Sequence, residues 1–264
     1  MSTLSIGLGA LIAAGGAYLA FVQKKKAEEK ITELKFIKPS SLVEIRDTWR
    51  AFVDQNLGRN YREFIKTNGQ AATDGEQLSP YGHVDCAYYV ATVEREYEKD
   101  ETSTDKDGHT TRRTTRGSEV ISSQKSPAPI YVAEGDVRIA LDLDGAAVDY
   151  KDGCDRFEPY ENTRTYSFFG VPFTLPPSSS VRTLGFRYKE KIIPVGHPLH
   201  VVGEVRDSSG SLRIGKPTEK DKPFVVSVKS GESVVQDRES GAKATFYLGI
   251  VLMVVGVAVA IFIK

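Results

Sequence analysis

The chain has 264 residues, with 35 basic and 35 acidic side chains and a formal net charge of zero. This balance excludes the strongly basic face of a nucleic-acid binder, so no nucleic acid is expected as a partner. Two cysteines, Cys86 and Cys154, are too few for a disulfide framework or a zinc ribbon, and nothing in the sequence argues for a bridge between them.

The first predicted element is an apolar run, Leu4 to Val22, free of charged residues. At about 1.5 Å per residue its roughly 19 residues span about 28 Å, the thickness of a bilayer's hydrocarbon core. A secretory signal has basic residues before a shorter apolar run and small residues at a cleavage site after it. Here Met1-Ser2-Thr3 precedes the run and Lys24, Lys25 and Lys26 follow it. Residues 1–23 are therefore expected to be an uncleaved transmembrane helix. Residues 24–40 form a basic juxtamembrane segment suited to lipid headgroups. Ala27 to Leu34 continues as polar helix, which Pro39 ends.

Ser41-Leu42-Val43-Glu44 fits a capping box, in which the hydroxyl and the carboxylate each satisfy an orphan backbone N–H. Leu42, Ile45, Trp49, Phe52, Val53 and Leu57 then recur at helical spacing. They predict one amphipathic helix with its apolar face on a sheet and Gly58 as C-cap.

From Tyr61 the pattern is β. Strands are expected over Tyr61–Ala72, Val84–Tyr97 and Thr114–Ser122, with Asp74-Gly75 as a turn. Lys99 to Thr111, centred on Asp107-Gly108, reads as an exposed hairpin tip. Further strands are expected at Ile130–Ala133 and Val137–Leu141, joined by a turn at Glu134-Gly135, with Val137, Ile139 and Leu141 on one face. Asp142, Asp144 and Asp149 are spaced like surface acids around a turn at Gly145. Val171 to Ser180, with its three prolines, reads as loop. Val181–Ile193, Leu199–Val205, Leu212–Ile214 and Phe224–Val228 complete the strands. The fold class is a mainly β soluble domain, antiparallel strands plus one or two amphipathic helices, over residues 41–240. Two transmembrane α-helices flank it.

The second of these is residues 244–263, again uncharged apart from the Lys264 that follows. Ala10 with Ala14, Ala13 with Ala17, and Gly256 with Ala260 are small residues at helical spacing. Such faces let helices approach closely in lipid, within one chain or between copies in a homo-oligomer. Lys24, Lys25, Lys26, Lys30, Arg238 and Lys243 lie on the domain side of the two spans, which places the domain on the cytoplasmic side.

The residues point to no catalytic, cofactor-binding or metal site. His83, Cys86, His197 and His200 are of zinc-ligating type. A separation of three at a strand start, however, puts His197 and His200 on opposite faces. Surface or turn histidines are expected instead. Cys86 lies within strand-like sequence and reads as a buried structural thiol. No phosphate-binding glycine loop is present. A hydrolase with its site scattered through loops is the enzymatic alternative; it requires a pocket where a serine or Cys86 meets a histidine.

Ser79-Pro80, then Cys86-Ala87-Tyr88-Tyr89 and the charged Val93-Glu94-Arg95-Glu96, resemble the first block of the GIDE family, also called the BAM ("beside a membrane") domain. Glu190-Lys191-Ile192-Ile193-Pro194-Val195-Gly196 and the strand ending Gly203-Glu204-Val205 resemble its second block. The resemblance covers roughly 61–228 and implies a β-rich domain beside a membrane, with Ser79, Pro80, Cys86, Tyr88, Tyr89, Pro194, Gly196, Gly203 and Glu204 as structural motif residues. It also implies kinship with membrane E3 ubiquitin ligases of organelles, where a RING finger follows the second helix and the domain faces the intermembrane space. A RING binds two zinc ions through eight Cys and His ligands. Four histidines and two cysteines cannot supply them, so no RING is expected within this chain. The sequence therefore reads as a membrane-anchored interaction module with lipid and an unidentified protein as partners. A ubiquitin-conjugation component whose RING comes from another chain is the alternative.

Overall fold

The computed structural model describes residues 3–57, 61–104, 110–162, 164–175 and 180–262. They form two units, one of Met1–Gly69, Glu134–Asp149 and Pro198–Lys264, the other of Gln70–Ala133 and Tyr150–His197. The fold is mainly β, with two long apolar helices at the ends.

The first unit begins with one unbroken helical rod. Helix α1 (Thr3–Ala17) passes through a π-helical turn at Tyr18–Gln23 into α2 (Lys24–Phe36). The turn sits where the sequence changes from apolar to lysine-rich. Helix α3 (Leu42–Asp54) carries the expected capping box, with Ser41 Oγ accepting from Glu44 N at 3.1 Å and Glu44 Oε2 accepting from Ser41 N at 3.0 Å. Glu134 Oε2 takes a further orphan donor, Leu42 N, at 2.6 Å. The apolar face of α3 is buried only at its start: Leu42 and Ile45 are enclosed, while Phe52, Val53 and Leu57 are exposed. The helix outruns the strand it packs on and ends at Asp54, before Asn56 enters the left-handed region (φ 59°). Gly58 lies outside the described residues.

Strand β1 (Arg62–Thr73) starts in this unit and pairs with β11 (Pro198–Asp207). Neighbours of β11 are β12 (Leu212–Gly215) and β13 (Val225–Ser227), both antiparallel to it. Beyond them lie β5 (Val137–Leu141), parallel to β12, and β6 (Ala147–Asp149), parallel to β13. These two pairs are parallel; the other strand pairs described with a register are antiparallel, as the mainly β, antiparallel reading expects. Val137, Ile139 and Leu141 are buried on one face as predicted. Leu34, Val202, Val225 and Val234 form a core with Ile37 and Phe64 that seats the sheet on the helices. Helix α4 (Gly231–Phe262) closes the unit and begins well before the apolar run.

The second unit holds the end of β1 with β4 (Ile130–Glu134), registered Gln70 to Ala133. Its main feature is a four-stranded antiparallel sheet in the order β3 (Thr110–Lys125), β2 (Cys86–Thr104), β10 (Val181–Pro194), β7 (Lys151–Pro159). Strands β2 and β3 extend well past the predicted ends, so most of the expected hairpin tip is strand; Asp107-Gly108 lies outside the described residues. Part of the expected Val171–Ser180 loop is strand β9 (Val171–Phe173), paired with β8 (Tyr166–Phe168). Together they cover an aromatic core of Val93, Tyr166, Phe168, Phe186 and Tyr188.

Candidate functional site

The terminal helices of the first unit pack in an inverted way. Within α1 and the π turn, Gly9, Gly16 and Ala20 are buried, whereas Leu8, Leu11, Tyr18 and Phe21 are exposed. On α4 the buried positions are Ala242, Gly249 and Gly256, and Val251, Val254, Val257 and Ile261 face outward. A Cβ placed on Gly9 would lie 2.5 Å from Gly256 O, and one on Gly16 would lie 2.6 Å from Gly249 O. Backbones this close require glycine. The spacing of 242, 249 and 256 is the seven-residue repeat of a left-handed helix pair. Gly256, Ala260 and Ala13 lie in the contact as expected, but Ala10 and Ala14 point outward, and Gly9, Gly16 and Ala20 join the contact instead. The ammonium of Lys24 lies over the Phe246 ring at 4.4 Å, marking one level on both helices. Beyond it the pair continues as a charged stalk, held by buried Ile31 and Leu34 and by a 2.6 Å Lys35–Glu239 ion pair.

In the second unit the two motif blocks meet. Cys86 stands opposite Pro194 on β2 and β10, Tyr88 opposite Ile193, and Tyr89 opposite Ile192. Ser79 is fully buried; its hydroxyl accepts from Val84 N at 3.2 Å and closes the turn that Pro80 begins. The acid of the second block, Glu190, is 1% exposed and accepts from Tyr81 N at 2.5 Å and Gly82 N at 2.9 Å. A buried carboxylate needs such donors, and backbone N–H groups supply them with fixed geometry. Sequence reasoning missed the glycines that make room for it. A Cβ on Gly82 would lie 2.9 Å from Glu190 Oε2, and one on Gly153 would lie 3.3 Å from Glu190 Cβ. Pro194-Val195-Gly196-His197 is a tight turn, with His197 N bonded to Pro194 O at 3.3 Å and Gly196 at φ 71°. Glycine at that position avoids the steric cost of a left-handed residue.

The remaining motif residues, Gly203 and Glu204, belong to the first unit. Gly203 lies under the Phe224 ring, and Glu204 accepts from Thr218 N and Thr218 Oγ1, each at 3.0 Å. His200 is in the same unit and corrects the surface expectation: it is 4% exposed, with Nδ1 2.8 Å from Asn68 Oδ1. Burial, then Lys66, lowers its pKa to about 4, so it is neutral at physiological pH.

The thiols are poor nucleophiles. Burial, then Asp85 and Glu190, raises Cys86 to about 11, and burial and Glu190 raise Cys154; both cysteines are free. Among the described residues no group of three or more His, Cys, Asp or Glu is placed to hold a metal ion. A cleft of about 380 Å³ in the first unit is bordered by Lys35, Lys66, Glu232 and Glu239, with no serine, cysteine or histidine among its lining residues.

The outer face of the four-stranded sheet is an ion-pair ladder. Glu94 pairs with Lys189 (2.9 Å), Glu96 with Arg187 (2.6 Å), and Arg187 with Asp155 (2.9 Å). Glu98 joins Arg182 (2.7 Å) and Arg116 (3.0 Å), whose hydrogen bonds hold its carboxyl below the usual range. Past Lys99, opposite which β10 begins at Val181, β2 and β3 run on as a two-stranded arm.

A family model described as GIDE, E3 Ubiquitin ligase, matches residues 98–261. Pro194, Gly196, Gly203 and Glu204 lie within the matched segment; Ser79, Pro80, Cys86, Tyr88 and Tyr89 precede it. The chain is similar to E3 ubiquitin-protein ligase SPL1 of Arabidopsis thaliana, 30% identical over 147 residues, which cover 54% of this chain and 41% of that protein. It is also similar to E3 ubiquitin-protein ligase SP1 of Arabidopsis thaliana, 34% identical over 85 residues, 32% of this chain and 24% of that protein. The chain thus spans less than half the length of these relatives. No solved structure matches it.

Proposed function

Because the chain belongs to the GIDE family, we propose that it is a two-pass membrane protein that presents its β-rich units beside a bilayer to bind a protein partner. The observation that carries this reading is the inverted helix pair. A helix pair buried in a soluble protein hides its large aliphatic side chains, whereas this pair hides glycine and alanine and exposes leucine, valine and isoleucine. Lipid removes the penalty for that exposure and favours close backbone contact. Lys24, Lys25, Lys26 and Lys243 then sit at the headgroups, on the cytoplasmic side by the charge rule. The ion-pair ladder and the β2–β3 arm are the partner-facing surfaces, since loops and strand ends on a rigid sheet carry most binding.

The relatives' names support a role in ubiquitin conjugation. These 264 residues carry four histidines and two cysteines, fewer than the eight ligands of a RING, so the ligase chemistry is assigned outside them. The hydrolase alternative gains no support from the protonated Cys86 or the cleft beside α4.

Chemical crosslinking in native membranes tests the reading. The chain should resist alkaline carbonate extraction and capture one protein reproducibly. Release into the carbonate supernatant would refute the anchor. Ubiquitin discharge from a charged conjugating enzyme, accelerated by the purified chain alone, would refute the non-catalytic assignment.

A further inference from the structure

We propose that two copies of the chain join through β3, its open edge pairing antiparallel with the same edge of the second copy about a two-fold axis at Thr115. This goes beyond the reading of the chain as a protein-binding module and assigns one surface to self-association.

Strand β3 ends the four-stranded sheet, and among the described residues no strand pairs with its far side. Such an edge offers a row of backbone donors and acceptors to another chain. Edges are commonly guarded by shortness, proline, lysine or a bulge. From Thr110 to Val120 β3 has neither proline nor lysine, and its register with β2 is unbroken. The bulge comes only at Ile121, since Val120 faces Glu94 and Ser122 faces Val93. The regular edge is therefore Thr110–Val120, about 36 Å long at about 3.3 Å per residue, with Thr115 at its midpoint. Apart from the half-buried Thr115 and Gly117, its residues are exposed.

The order of side chains along this edge is complementary to itself. Paired about Thr115, Arg113 faces Gly117, Arg112 faces Ser118, Arg116 faces Thr114, Glu119 faces Thr111 and Val120 faces Thr110. Every long side chain meets a small one, and no like charges stand directly opposite, where they would be destabilising. An axis at Thr114 sets Arg112 against Arg116, and an axis at Arg116 sets that residue against itself. An axis at Gly117 shortens the regular pairing to Thr114–Val120. The other charges of the edge are held within the chain: Arg112 by Asp100, Arg116 by Glu98, and Glu119 by Arg95, whose Nε donates to Thr183 Oγ1 at 2.8 Å. Arg113 is exposed and has no ion pair among the described residues. It gains a neighbour in the pair. The Tyr97 ring lies over Gly117, where a Cβ would come within 2.8 Å of Tyr97 Cζ. The second copy's Arg113 therefore arrives beside an aromatic ring, a favourable setting for a guanidinium. The two-fold axis repeats that contact in the other half, as in any isologous interface.

Disulfide scanning of the full chain in detergent micelles tests the pairing and its register. The background carries Cys154→Ser, and Cys86 is fully buried. Thr115→Cys places two thiols directly opposite each other, at the Cα separation of about 4.5–5.5 Å found in antiparallel pairs and within reach of a disulfide. Thr111→Cys and Ser118→Cys leave the two thiols about 26 Å and about 20 Å apart along the strands. Mild oxidation should crosslink Thr115→Cys at least 10-fold faster than either. Arg112→Cys combined with Ser118→Cys should crosslink as readily as Thr115→Cys. Ser118→Arg, an exposed change, sets arginine against the second copy's Arg112 in both halves. It should slow crosslinking of Thr115→Cys at least 10-fold with an unchanged circular dichroism spectrum, whereas Ser118→Ala should not. Equal crosslinking at residues 111, 115 and 118, or a rate indifferent to Ser118→Arg, would overturn the pairing, even if dimers form through the membrane helices. In native membranes, crosslinking of Thr115→Cys to a different protein in place of a second copy would give the edge to another chain's strand and overturn the self-pairing as well.

Discussion

Replacing Gly256 by leucine tests the inverted helix pair most directly. A Cβ at this position would lie 2.5 Å from Ala13 N and 2.6 Å from Gly9 O, both backbone atoms that cannot rotate away. Ordinary contact begins near 3.4 Å, so the helices must part by about 1 Å, which forfeits a quarter to a half of each dispersion well along the seam. Overpacking of this kind costs about 1–3 kcal/mol. For a chain of this size that corresponds to a fall in Tm of about 2–12 °C. The control is on the partner helix. A Cβ on Gly15 meets nothing within 4 Å, so Gly15→Leu should leave Tm unchanged or raise it through better helix propensity. Thermal unfolding in detergent, followed by far-ultraviolet circular dichroism, reads both variants. Equal shifts for Gly256→Leu and Gly15→Leu would refute the assigned seam and the membrane argument built on it.

Three further predictions concern the soluble residues. Glu190→Gln removes the charge that holds Tyr81 N and Gly82 N, and should lower stability in urea by about 1.5–3 kcal/mol; an unchanged midpoint would remove Glu190 as the link between the motif blocks. His200 has a folded pKa of about 4 against 6.5 for the free side chain, so the unfolded state binds more protons between those values. Its contribution is therefore complete above pH 6.5 and is lost as pH falls towards 4. The stability advantage of the wild type over His200→Gln should shrink by roughly 2–3 kcal/mol between pH 7 and pH 4, and a constant difference would count against the buried neutral imidazole. Ser41→Ala breaks the capping box of α3 and should cost about 0.5–2 kcal/mol, with Ser41→Gly costing less; the reverse order would argue against the cap.

What could be read in the sequence was local. The Ser41–Glu44 box, the alternation of Val137, Ile139 and Leu141, and the two uncharged runs each declare themselves within a few residues. Strand β7 does not: Lys151 to Pro159 is polar on both faces, and only its pairing with β10 makes it a strand. Ala13, Gly256 and Ala260 were legible in the helix contact, whereas Gly9 and Gly16 were not, because Gly7, Gly9, Gly15 and Gly16 look alike in sequence and only the partner's backbone distinguishes them. Glu190, Gly82 and Gly153 converge from distant parts of the chain, as do Arg95 and Thr183. No periodicity carries such contacts.

The helices have one mechanical consequence. From Lys24 to Phe36, and from Gly231 to Lys243, the chain is helix without an intervening linker, and the sheet of the first unit is seated directly on Leu34 and Val234. In the proposed placement, with Lys24 at the headgroups, this stalk would stand about 20 Å tall. It is a lever with a fixed arm. A 10° change in the tilt of the spans, as a thicker or thinner bilayer imposes, would carry the top of the stalk sideways by about 3–4 Å. In that proposed placement the same arm would set a narrow band of heights above the bilayer for the first unit's sheet, so a partner bound there would be sorted by the distance of its own binding surface from the membrane as well as by its chemistry.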